Sequence, residues 1–131
     1  MIPSRKLSPR AEYRLRQSER VKESVSLAEK FPRLKSMTVH LSYLHKDGSA
    51  GNGGMKYKPN LKGAKSMFYF NCPNSECVGG DFDLSRTLAL AVGAKRKLVT
   101  GEMRCEGWRH DAMKQKIPCD SVLRYKLNFG Y

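Results

Sequence analysis

The chain has 131 residues, with 25 Lys and Arg against 12 Asp and Glu, for a formal net charge of +13. That length suits one modest core and leaves no room for a second full domain, while the charge points to an anionic partner. No stretch approaches the roughly 20 apolar residues of a membrane span, and MIPSRKLSPRAEYRLR holds no apolar signal core. A cytoplasmic protein with no membrane partner is therefore expected.

The amino end opens with Ser8-Pro9 and Glu12, which read as a capping Ser, a Pro at the first helical position and an acid in the first turn. The spacing predicts a helix to about Lys30, stopped by Phe31-Pro32. Its apolar stripe (Leu15, Val21, Val25, Ala28, Phe31) is thin and the remaining surface densely charged, so residues 1–35 read as a basic helical arm. Residues 36–131 read as a separate α+β, zinc-binding domain. Charge is concentrated early: residues 1–70 carry +10 of the +13.

Met37 to Leu44 alternates apolar and polar, which predicts a half-buried strand with Thr38, His40 and Ser42 outward. Residues 45–63 carry five Gly and four Lys, and read as a long flexible loop. The GNGG at 51–54 lacks the Lys-Ser or Lys-Thr and the helix that a phosphate-binding P-loop requires.

Ser66 to Cys72, dense in aromatics, predicts a second strand. A short helix follows, capped by Asp83 or Ser85, with Leu84, Leu88, Ala91 and Val92 on one face and Gly93 at its end. Leu98 to Cys105 predicts a third strand. Ser121 to Phe129 predicts the clearest one, with Leu123, Tyr125, Leu127 and Phe129 inward. The fold class is thus α+β: a small mixed sheet in β-β-α-β-β order, with a basic helix before it. A helical crossover would make strands two and three parallel.

That topology carries the cysteines to one edge. Cys72 ends strand two, Cys77 lies in the turn beyond it, Cys105 ends strand three and Cys119 precedes strand four. Cysteines in a reducing compartment at strand ends and in polar loops suit metal ligation better than packing or a disulfide, and four thiolates meet the tetrahedral demand of a structural Zn2+. His110, five positions after Cys105, is an alternative fourth ligand to Cys119. The knuckle-like turn NCPNSEC and its flanking strands resemble zinc ribbons, although a helix separates the two cysteine pairs here.

The zinc deaminase, H-E-x-x-H, G-x-S-x-G and Walker patterns are absent, and the adjacent pair His110-Asp111 suits a polar turn better than a catalytic base with its orienting acid. No catalytic residue is assigned. Function is expected to rest on surfaces: DNA or RNA bound mainly through phosphates by Arg10 and Arg14 of the arm, Lys56, Tyr57, Lys58 and Lys62 of the loop, and Arg104, Arg124 and Lys126 of the sheet. The alternative is an adaptor or regulatory protein that binds an acidic protein surface; an enzyme of unrecognised type is a more distant third reading.

Overall fold

The computed structural model describes residues 8–45, 51, 54–74 and 76–131. The amino-terminal helix begins where its cap predicts: the Ser8 hydroxyl accepts the Ala11 N–H at 3.2 Å, and α1 spans Pro9–Glu23. It does not continue to Lys30. The backbone turns extended at Ser24, and a separate turn of helix, α2, spans Leu27–Lys30 behind the Ser26 cap.

The break has a visible cause. Val25 to Ala28 bond to residues 61–66: Ala64 O accepts the Leu27 N–H at 2.8 Å, Leu61 O accepts the Ala28 N–H at 2.9 Å, and Val25 O accepts the Ser66 N–H at 2.7 Å. A continuous helix would need those same backbone groups internally. The break also delivers Leu27 to the core, where it is fully buried, whereas α1 itself buries no residue.

The main sheet has four strands in the order β2-β1-β8-β5: Met55–Tyr57, Ser36–His45, Ser121–Gly130 and Leu98–Arg104. Every ladder in it is antiparallel. This corrects the mixed sheet expected from sequence. Only Tyr69–Phe70 of the anticipated second strand is extended in a ladder, as β3. It pairs with β4, Phe82–Asp83, in a separate two-stranded sheet. The aromatic run meets its apolar demand by packing, since Phe68 is buried and meets Phe70 edge-on at 4.9 Å. The vacated sheet edge goes to β2, inside the expected loop; residues 46–50, 52 and 53 of that loop, including two of the GNGG residues, lie outside the described residues.

Helix α3, Ser85–Gly93, covers the inner face with Leu88 and Ala91. Neither predicted cap binds its first turn in the ordinary way: the N-cap is Leu84, Asp83 accepts the Ser85 N–H at 2.8 Å, and the Ser85 hydroxyl accepts the Phe68 N–H at 2.9 Å. Met37, Val39, Leu41, Leu123 and Leu127 project from β1 and β8 into one core with Leu27, Phe82, Leu84 and Leu88. A third small sheet pairs β6, Trp108–His110, with β7, Lys116–Pro118. Among the described residues no helix is long and apolar enough to cross a membrane.

Leu27 and Leu15 separate core anchoring from mere helix formation. Leu27→Ala should cost about 2–5 kcal/mol in denaturant unfolding, whereas Leu15→Ala, at a site 51% exposed, should stay within about 0.5 kcal/mol of the parent.

Candidate metal centre

The knuckle and the third strand deliver their cysteines to one place. The sulfurs of Cys72, Cys77, Cys105 and Cys119 all lie within 4.8 Å of one another, and all four residues are buried. Cys72 and Cys119 are 3.7 Å apart and Cys77 and Cys105 3.4 Å, so the thiols are close but not disulfide-bonded. Four such sulfurs could hold a metal ion; a tetrahedral thiolate site with bonds of about 2.3 Å has edges of about 3.8 Å. The cluster contains Cys119, whereas His110 lies exposed in β6 with its ring edge-on to Trp108 at 5.1 Å.

Two halves build the site. In the first, the Asn74 backbone N–H points at the Cys72 sulfur, while Asn74 O accepts the Cys77 N–H at 3.2 Å. In the second, the Gly107 N–H points at the Cys105 sulfur, Gly107 O accepts the Cys119 N–H at 2.9 Å, and Ser121 O accepts the Cys105 N–H at 3.0 Å. The halves are stitched by a two-way bridge between Val78 and Trp108, with N–H to O distances of 2.8 and 3.0 Å.

This crossing leaves no space for side chains at two glycines. A Cβ on Gly80 would sit 2.0 Å from the Gly107 nitrogen and 2.7 Å from the Cys105 sulfur; one on Gly107 would sit 2.6 Å from the Cys77 sulfur. Nothing in the cysteine spacing singles out Gly107. The available signal was the repeat of a glycine shortly after a cysteine, in CVGG and again in CEG.

As thiols, Cys72, Cys77 and Cys105 differ in how readily they ionise. A hydrogen bond from Cys105, opposed by burial and aided by Ser121 and the Asn74 N–H, takes Cys72 down to about 5. The same Cys72–Cys105 bond and then burial push Cys105 far upward, and burial is the main cause that takes Cys77 up to about 12. Several thiolates at this spacing repel one another in a poorly hydrated site; a divalent cation removes that conflict.

Two of the arm's arginines are engaged here. Arg10 Nε donates to Cys77 O at 3.0 Å and Arg14 Nη2 to Cys72 O at 3.0 Å, so both basic groups cap knuckle carbonyls. Asp81, whose side chain is 2% exposed, lies 3.9 Å from Arg14 and accepts the Cys72 N–H and the Tyr69 hydroxyl. Burial and that bond to Asp81 raise the Tyr69 phenol well above its ordinary range.

The other expected contacts are scattered. Lys56, Arg124 and Lys126 share the outer sheet face, with Arg124 held by Glu102 at 2.8 and 2.9 Å. Arg104 is exposed at the end of β5, and Lys58 and Lys62 are exposed in the segment after β2. Tyr57 is half-buried against the core, and burial raises its phenol. His110 and Asp111 border an open depression of about 400 Å³ with Glu76 and Arg109. The Asp111 carboxylate, however, accepts the backbone N–H groups of Met113 and Gln115 at 2.9 Å each, a turn-forming role.

Gly80→Ala or Gly107→Ala should abolish metal retention through dialysis, measured as metal per chain, while Gly93→Ala, whose Cβ meets nothing within 4 Å, should keep it. Arg14→Ala should keep the metal yet speed hydrogen exchange across Pro9–Glu23, because α1 has no buried side chain to hold it in place. No protein-family model, curated protein or solved structure matches this chain, so the reading of its site rests on geometry and chemistry.

Proposed function

We propose that the chain is a small zinc-stabilised, ribbon-like module that binds nucleic acid through the open face of its sheet, mainly by phosphate contacts. Zinc suits the donor set: four thiolates, no oxygen or imidazole, and a spacing that fits one ion. An iron–sulfur cluster would need room for several irons and sulfides between the sulfurs. With all four positions filled by thiolates the ion has no site for substrate or water, which favours a structural over a catalytic role.

The observation that carries the binding reading is one cross-strand row. Lys56 lies beside His40, His40 beside Lys126, and Lys126 beside Thr100, all on the face opposite the core. Arg124 follows in the next row, and His40, Lys126, Thr100 and Arg124 border an open trough of about 500 Å³ with Ser42 and Glu102. His40, Lys56, Lys126 and Arg124 are all exposed. Lys56 and Lys126 flank His40 in this row, and an anion laid along it would meet both ammonium groups. The exposed Lys58 and Lys62 extend the basic surface beyond β2.

With about four contacted phosphates, duplex affinity should fall roughly a hundredfold between 50 and 200 mM salt. Lys126→Gln and Lys56→Gln should each weaken binding to all sequences alike and lower the logarithmic salt slope by about one. Fluorescence anisotropy on the zinc-loaded chain measures both. A shallow slope with tight binding to an acidic protein instead would favour the adaptor reading, and no binding at low salt would sink the proposal.

A further inference from the structure

The hairpin of β6 and β7 is built as a rigid projection. At its base stand Cys105 and Cys119, and the Val78–Trp108 bridge holds its outer edge. At its tip, Gln115 O accepts the Asp111 N–H at 2.9 Å, Asp111 O accepts the Lys114 N–H at 3.0 Å, and the Asp111 carboxylate takes two further N–H groups. Lys114 is held at a φ of 59°, a conformation that a residue with a side chain adopts at some cost. Along one face, Lys116 lies 4.4 Å from the Trp108 ring centre and His110 meets the same ring edge-on.

What this fixed turn presents is Met113, 80% exposed and the most exposed of the large apolar residues described. The backbone N–H of Met113 is itself bonded to the Asp111 carboxylate, which fixes where its side chain leaves the turn. The same hairpin carries Arg109, Lys114 and Lys116, with Asp111 as the only acid between Trp108 and Pro118 and its carboxylate already committed. The projection thus pairs an apolar tip with cationic flanks.

We propose that this hairpin enters the major groove of B-form duplex DNA with Met113 leading, an inference that rests on the nucleic-acid reading above and narrows it to one substrate class. A two-stranded ribbon fits a groove about 12 Å wide, whose floor offers thymine methyl groups and whose walls are phosphates. The narrow, deep major groove of A-form RNA excludes it. A single methionine buries too little apolar area to hold an anionic membrane unaided, since stable anchoring takes much more. The basic sheet row also provides a second anion contact of the same kind.

The test uses the zinc-loaded full chain with labelled duplexes of about 20 base pairs, one DNA and one RNA of the same sequence, and with phosphatidylcholine–phosphatidylserine vesicles. DNA should be bound at least about tenfold more tightly than RNA, and Met113→Ala should weaken DNA binding about fivefold with the salt slope unchanged. Lys114→Gln should instead lower the slope by about one. Unchanged zinc content and thermal unfolding would show that each variant folds. Equal affinity for the RNA duplex, a neutral Met113→Ala, or vesicle binding that depends on Met113 would each overturn the inference. Neutral hairpin variants with Lys126-dependent DNA binding intact would leave the sheet reading standing, whereas absence of all DNA binding would remove both.

Discussion

Four sulfur atoms within 4.8 Å of one another at the rim of an apolar core impose a charge problem that the surrounding chain is arranged to meet. As neutral thiols they are weak hydrogen-bonding groups, and as thiolates they repel. A bound cation would turn that repulsion into four bonds, and the local structure is shaped to permit them. Two glycines let the backbones cross, N–H groups of Asn74 and Gly107 face sulfur, and Asp81 holds the Cys72 N–H. The least self-sufficient elements attach here. The β6–β7 hairpin rises from two of the ligands, and α1, with no buried residue, reaches the knuckle through Arg10 and Arg14. In a domain of this size, metal binding would then contribute folding free energy to elements that the hydrophobic core does not reach.

How legible this was depended on the range of the interaction involved. The alternation in β1 and β8 reads directly because each has one buried face, and their ladder runs from Ser36–Gly130 to His45–Ser121. The aromatic run at 66–72 misled because strand propensity reports fitness for a half-buried surface, which Phe68 and Phe70 find by packing outside the main sheet. β2 went unread since three residues in a Gly- and Lys-rich stretch are too few for periodicity. The cysteine edge survived the wrong strand direction because β5 and β8 are antiparallel neighbours, which places Cys105 and Cys119 at the same end whatever β3 does.

The arginines of the arm show a deeper limit. Arg10 and Arg14 bond to carbonyls 67 and 58 positions away, and no local pattern tells such an arginine from one awaiting a phosphate. Three guanidinium groups have fixed partners: Arg10 and Arg14 on knuckle carbonyls, Arg124 on Glu102. Lys56 and Lys126 stand in the outer row, and Lys114 and Lys116 line the hairpin, where point charges on flexible stems suit a partner of repeating phosphates.

Under the proposed function, a metal held by the four cysteines would also bear on binding without touching a ligand. β5 ends at Arg104, next to Cys105, and β8 begins at Ser121, two residues after Cys119. The same two cysteines flank the segment that forms the projecting hairpin. The open sheet face therefore lies on one side of these cysteines and the hairpin on the other, so one ion held by them would fix the spacing and orientation of both surfaces. Preorganisation of this kind lowers the ordering cost of engaging two contacts at once. A structural metal in this position would thus set affinity as well as stability, through geometry alone.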